Sequence, residues 1–216
     1  MKKGLSEIVV VLDESGSMSF GKKDTIGGFN EFLRSQKSLE GEANFTFVKF
    51  SNYYHVINEG TPIAHAAELN ESNYTPSAST ALLDAVGQAI NSVGNRLKKL
   101  PESERAETVI FAVITDGEEN SSREFTRSQI TEMINHQKDK YKWEFLFLGA
   151  DVEAWGAEIG IHNNVSFSKA DMGRSMKGMS YYTSNVRMGG VAAASMDNFN
   201  LTEEELDVEL AKMPKK

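Results

Sequence analysis

The sequence predicts an α/β fold: a doubly wound, mostly parallel central sheet with one antiparallel edge strand and helices on both faces. Three observations carry that prediction. Strand-length apolar runs recur at Ile8-Val9-Val10-Val11-Leu12, Val109–Thr115 and Trp143–Leu148, the pattern of strands covered on both faces. Helical segments with one apolar face separate them, which is how parallel strands are connected. Two short strands follow one another at 44–58, which places one antiparallel pair at an edge.

Taken in order, Ile8–Leu12 is the first strand, and Phe29, Phe32 and Leu33 mark a helix over 25–38. Residues 44–50 alternate and read as a strand, with 54–58 as its hairpin partner. The clearest helix covers 80–100, where Leu83, Val86, Ile90, Val93 and Leu97 fall three and four apart, and Pro101 stops it. A strand at 109–115, a helix at 128–139 carrying Ile130, Met133 and Ile134, and a strand at 143–148 follow. A helix at 152–160 and a short strand at 164–168 complete the alternation. Met172, Met176, Met179 and Tyr182 keep helical spacing and read as core packing. Gly27-Gly28 lowers helix propensity inside the first helix and is expected to permit close packing on the sheet. Gly189-Gly190 interrupts the last long helix, after which Thr202-x-x-Glu205 opens a short acidic helix with a capping box. Residues 1–190 are therefore expected to form one domain and 191–216 an acidic C-terminal appendage.

The chain has 216 residues, a formal charge of −8 and no cysteine. The missing thiols exclude disulfides, thiolate metal sites and a cysteine nucleophile. The acidic balance argues against nucleic acid or an anionic membrane as a partner. No apolar run approaches a membrane span, and Met1-Lys2-Lys3 is followed by too short an apolar stretch for a secretory leader, so a cytoplasmic location is expected.

Chemistry concentrates where strands end at the carboxyl edge of the sheet. After the first strand come Asp13, Ser15 and Ser17, spaced by two, so that a tight loop can aim three oxygen-bearing side chains at one point. Ser77-Ala78-Ser79-Thr80 precedes the long helix, and Thr115-Asp116-Gly117 ends the second central strand. Oxygen donors without nitrogen or sulfur suit Mg²⁺, with Mn²⁺ or Ca²⁺ as alternatives. Glu14, Glu118 and Glu119 border these residues and read as a solvated acidic rim, and Asp151 ends a further strand nearby in sequence pattern.

Asp13-x-Ser15-x-Ser17, then Thr80, then Asp116, resembles the metal-ion-dependent adhesion site of von Willebrand factor A domains. The run Asp13-Glu14-Ser15-Gly16-Ser17-Met18 and the later Ile114-Thr115-Asp116-Gly117 are similar to the family's intracellular bacterial and phage branch. The resemblance covers about residues 5–170 and extends through the helix near 171–185. One departure stands at the second motif, where the family has a glycine near its threonine; Thr80 is the expected ligand and Ser79 the alternative. The resemblance implies a binding module rather than an enzyme. Ser15 and Ser17 would coordinate Mg²⁺ directly, with Asp13, Thr80 and Asp116 acting directly or through water, and a partner protein would present a Glu or Asp to the open position. In A domains with switchable sites the last helix shifts with the metal loop, which here implies the helix near 171–185.

Competing readings come from other classes. Asp13, Ser15 and Thr80 are residue types that cap turns and helices. Gly16–Lys23 nearly fits a phosphate-binding loop, which would make the chain an Mg²⁺-dependent nucleotide or phosphoryl enzyme, but Lys23 stands where a hydroxyl is needed. A haloacid-type phosphotransferase needs a second aspartate where Ser15 stands. A structural component of a phage or bacterial assembly is a further reading. His55, His65, His136 and His162 have no pair at ligand spacing.

Overall fold

The computed structural model describes residues 1–149, the backbone of 164–166, and residues 172–189 and 201–216. The expected helix at 152–160 and Asp151 lie outside the described residues. The strands are β1 (Lys2–Asp13), β2 (Glu42–Phe50), β3 (Tyr54–Pro62), β4 (Ala106–Thr115), β5 (Glu144–Gly149) and β6 (Asn164–Ser166). The helices are α1 (Lys22–Ser38), α2 (Leu82–Lys99), α3 (Arg127–Tyr141), α4 (Met172–Gly189) and α5 (Glu203–Ala211).

The six strands lie in the order β3-β2-β1-β4-β5-β6. All neighbours are parallel except β2 and β3, which form the antiparallel edge. The expected fold class is therefore the observed one. Side chains alternate across the sheet as a pleated strand requires. Ile8, Val10 and Leu12 of β1 join Ile110 and Ile114 of β4 in a core shared with Phe29 and Phe32 of α1 and Met176 and Met179 of α4. Val9, Val11, Phe111 and Val113 join Val86, Ile90 and Val93 of α2 and Ile130 and Ile134 of α3 in the core of the other face.

Several boundaries differ from the sequence reading. β1 begins at Lys2 rather than Ile8, because its polar first half continues to pair with β2 and β4. The close packing at Gly28 is against another helix and not against the sheet: a Cβ there would stand 2.8 Å from Met176 Cγ. Gly27 has open space around it. α5 lies against α4, with Leu206 buried and Lys177 of α4 holding Glu203 and Asp207 at 2.9 and 2.8 Å.

Parallel pairing brings the C-terminal ends of β1, β2 and β4 level. Asp13 pairs with Phe50, and Leu12 with Ile114. The loops leaving these ends therefore meet above one edge of the sheet, and they carry the residues singled out in the sequence.

Candidate functional site

The loop after β1 is built by Asp13 itself. Its Oδ1 accepts from the backbone N–H of Ser15 at 2.6 Å, which turns the chain sharply, and Gly16–Ser19 continue as one turn of 3-10 helix. Asp13 Oδ2 accepts from Thr115 Oγ1 at 2.5 Å, tying the end of β1 to the end of β4. The Asp13 carbonyl accepts from the buried Tyr74 hydroxyl at 2.7 Å. Ser15 is buried, and its Oγ lies 3.0 Å from Ser17 Oγ. The capping role of Asp13 is thus real, yet it uses one oxygen per partner and leaves the two serine hydroxyls paired with each other.

The approach to α2 is equally specific. Gly16 N donates to the Ala78 carbonyl at 3.0 Å, and a Cβ on Gly16 would stand 3.3 Å from that oxygen, so a small residue suits the crossing. Ala78 holds φ +64°, the left-handed conformation that glycine adopts without strain. The departure noted at the second motif is thus a backbone position where glycine's conformation is kept by alanine. Thr80 is buried but is not the helix cap: α2 starts at Leu82, and Ala81 occupies the cap position with no side-chain bond.

The loop after β4 is laced to the start of α2. Asn120 Oδ1 accepts from Thr80 N at 2.9 Å, while Asn120 N donates to the Thr80 carbonyl at 3.1 Å. Glu119 Oε2 accepts from Leu83 N at 3.0 Å and supplies the cap that Ala81 lacks. In return Asp84 accepts from the backbone N–H groups of Arg123, Glu124 and Phe125 at 2.8–2.9 Å.

Gly117 shows where the loops converge. A Cβ on Gly117 would lie 2.9 Å from Ser17 Oγ, 3.1 Å from Thr80 Oγ1 and 3.5 Å from Asp13 Oδ2. Three predicted site residues from two loops, Asp13 and Ser17 after β1 and Thr80 before α2, thus turn their oxygens to one point beside Gly117 of the third loop, and Ser15 is a hydrogen bond away from Ser17. Thr80, the expected second-loop residue, faces this point. Asp116 immediately precedes Gly117, is partly buried with Oδ1 shielded from solvent, and its charge is felt at Asp13.

The electrostatics favour a cation. Burial is the main reason that the Asp13 carboxyl is pushed up to about 6, and the neighbouring Asp116 charge adds to it, against the hydrogen bonds from Thr115 and Ser15. A bound dication would relieve this crowding of negative charge. Among the described residues no group of three His, Cys, Asp or Glu is gathered for a metal, so the donor set is rich in hydroxyls. Such a set fits a hard, oxygen-preferring ion.

The acidic rim divides into separate roles. Glu14 pairs with Lys49 at 2.8 Å and accepts from Thr75 N at 2.7 Å, and Glu119 caps α2, so only Glu118 stands exposed. Lys22, the lysine of the phosphate-loop reading, is turned to Glu71, bonding its carboxylate at 2.9 Å and its carbonyl at 3.0 Å. Thr115, Gly117, Asn120 and Tyr74 were not assigned from sequence. A threonine closing an otherwise apolar strand was the available signal for Thr115; Tyr74 and Asn120 gave none within their polar loops.

No family model matches the sequence, and no curated protein is similar to it in sequence. Solved structures are similar in fold. Proximal thread matrix protein 1 from the mussel byssus is 14% identical over 82% of this chain and 45% of that one, with a TM-score of 0.56. A von Willebrand factor type A protein from Catenulispora acidiphila is 13% identical over 82% of this chain and 42% of that one, with a TM-score of 0.55. The vWF domain of the type V pili tip protein Mfa5 from Porphyromonas gingivalis is 11% identical over 81% of this chain and 93% of that one, with a TM-score of 0.56. The mussel protein is also described with a zinc-occupied MIDAS motif, in a structure 15% identical with a TM-score of 0.54. The chain spans less than half the length of the first two proteins, at 45% and 42%. At these identities the likeness is one of fold, and the fold is that of the von Willebrand factor A domain.

Proposed function

We propose that the chain is a metal-dependent protein-binding module, without catalytic activity, whose site takes Mg²⁺ on Asp13, Ser15, Ser17, Thr80 and Asp116 and receives a Glu or Asp side chain from a partner protein. The observation that carries this reading is the hollow at Gly117, where oxygens of Asp13 and Ser17 from one loop and of Thr80 from a second face a single point beside a third. When bound, Mg²⁺ supplies a concentrated positive charge whose remaining coordination positions attract an anion.

The residues of the chain do the rest. Thr115 and the Ser15 backbone fix both oxygens of Asp13. Ser15 and Ser17 hold each other's hydroxyls in place, and Asn120 holds the Thr80 backbone from both sides. The five site residues are two aspartates, two serines and a threonine, a set of oxygen donors that holds no histidine or lysine. Lys49 neutralises Glu14 beside the site, which lessens repulsion of an incoming carboxylate. Zinc in the motif of the mussel protein supports divalent-ion binding in general. The similarity of the sequence motif to the intracellular branch of the family supports a cytoplasmic setting; no helix among the described residues is long and apolar enough to cross a membrane.

The test is paired. Calorimetry with MgCl₂ and MnCl₂ should show saturable binding that Ser15→Ala and Asp116→Ala remove while thermal melts still show a folded domain. Partner capture from the native host should require Mg²⁺ and fail in EDTA. Capture that persists in EDTA with the folded Asp116→Ala variant would place binding elsewhere on the molecule.

A further inference from the structure

At the opposite end of the sheet from the Gly117 hollow, between the C-terminal halves of α2 and α3, lies a groove of about 670 Å³. Ile90, Leu97, Val109 and Trp143, all largely buried, form its apolar floor. A second hollow of about 520 Å³ shares Ile90, Asn91, His136 and Gln137 with it and reaches Phe125, so the two form one furrow along the α2–α3 seam. Space of this volume suits a ligand, and its length suits a linear one.

The charge of the groove departs from that of the chain. In a protein of net charge −8, Lys98, Arg105, Lys140 and Lys142 border the groove against Glu102 and Glu107, with Glu132 on the second hollow. Arg105 is committed to the Leu100 and Lys98 carbonyls at the end of α2, and Glu107 accepts from Gly4 N. Lys98, Lys140 and Lys142 have no carboxylate partner among the described residues. The polar wall is made of amides: Asn91 and Asn95, one turn apart on α2, and Gln137 opposite on α3. Their side chains make no hydrogen bond among the described residues. An amide presents one donor face and one acceptor, the complement of a peptide bond.

We propose that this groove binds an acidic linear segment of a partner protein, its backbone along Asn91, Asn95 and Gln137, one apolar side chain on the floor beside Trp143, and its carboxylates toward Lys98, Lys140 and Lys142. Cations spread along the rim fit several separated carboxylates better than one compact anion, and unpaired amides between them fit a peptide backbone. This surface is separate from the proposed metal site and does not depend on it.

The probe is a fluorescein-labelled peptide, Glu-Asp-Glu-Leu-Asp-Phe-Glu-Asp, compared with its carboxamide counterpart, Gln-Asn-Gln-Leu-Asn-Phe-Gln-Asn, by anisotropy on the full chain. EDTA is present throughout, so that a metal-bridged contact at the Gly117 hollow is not read. The acidic peptide should bind at least tenfold more tightly than the carboxamide and shift backbone amide resonances within 90–98 and 133–142. Lys98→Glu combined with Lys142→Glu should weaken binding at least tenfold, and Lys98→Gln alone should weaken it less, in the same direction and with an unchanged melt. Equal binding of the two peptides, shifts confined to other regions, or full binding by the charge-reversed variant would overturn the proposal. So would benzoate shifting the same resonances while the acidic peptide does not, since the groove would then be a site for small anions.

Discussion

Asn120 and Thr80 grip each other by both polar ends: the Asn120 side chain accepts from the Thr80 backbone N–H at 2.9 Å, and the Asn120 N–H donates to the Thr80 carbonyl at 3.1 Å. The pair joins the loop after β4 to the loop before α2, so the position of Thr80 Oγ1 depends on a residue from another strand. Asn120→Ala leaves the buried Thr80 N–H without its acceptor, at a cost of about 1–3 kcal/mol. The expected outcome is a lower melting temperature together with Mg²⁺ affinity reduced by more than the loss of fold explains. Calorimetry well below the melting temperature separates the two, and unchanged Mg²⁺ affinity in a destabilised Asn120→Ala protein would show that Thr80 does not need this hold.

Gly117→Ala tests the hollow most directly. The added methyl would meet Ser17 Oγ at 2.9 Å and Thr80 Oγ1 at 3.1 Å, occupying the point those oxygens surround. Gly117 is not among the glycines with positive φ, so alanine is not excluded by the backbone. Mg²⁺ binding should fall at least tenfold while the melt of the metal-free protein moves little. A variant that binds Mg²⁺ as the parent does would remove the hollow as the metal's place.

The Asp13 carboxyl gives a pH dependence of defined sign. Burial lifts it to about 6 from its ordinary value of 3.8, so the folded state holds that proton more tightly than the unfolded one. Its ionisation therefore opposes folding: the penalty is fully present above about pH 6, shrinks as pH falls, and vanishes below the ordinary value, amounting at most to about 3 kcal/mol. Asn keeps an acceptor for the Ser15 N–H, and Thr115 Oγ1 lies 3.3 Å from the Gly117 carbonyl as a second acceptor. In EDTA, Asp13→Asn should melt several degrees higher than the parent at pH 7.5, with the gap closing toward pH 4. The same variant should gain no stability from added MgCl₂. An Asp13→Asn protein that melts lower than the parent at pH 7.5 would mean that the carboxylate is well accommodated without a metal.

Much of this was legible because it is local. The run Ile8–Leu12 gives both faces of β1 without any neighbour, and Asp13, Ser15 and Ser17 are brought together by a turn two residues wide. What stayed hidden depends on distant parts of the chain. Gly28 reads as a place for close packing on the sheet, and only the fold shows that its neighbour is Met176, far along the sequence. Gly117 reads as the end of the Ile114-Thr115-Asp116-Gly117 stretch, and the oxygens of two other loops that close on it are not legible there. Glu119 reads as an exposed acid and is the cap of a helix that began before it in sequence. Composition and periodicity carry no record of such contacts.

Glu7 precedes the apolar run Ile8–Leu12, yet its side chain is fully buried inside the sheet's α2 face. Arg96 of α2 reaches it at 2.6 Å, and Thr46 Oγ1 donates to the same oxygen at 2.9 Å. Gly60, at φ +59°, makes room for the guanidinium, which would collide with any Cβ there. Burial raises the Glu7 carboxyl above its usual range, and the Arg96 charge opposes that rise. Removing Arg96 alone therefore strands a buried charge, whereas removing both charges does not. Arg96→Met should cost roughly 3–5 kcal/mol near neutral pH, and Glu7→Gln with Arg96→Met should recover most of it. The pH sign follows from the raised carboxyl: without Arg96 the folded state takes up a proton more readily still, so the deficit of the single variant should shrink as pH falls toward the ordinary carboxylate range. Urea melts of the parent, the single and the double variant at pH 7.5 and pH 5 read both effects. A double variant as unstable as Arg96→Met would show that the arginine acts through packing over Gly60 and β3 rather than through the buried charge.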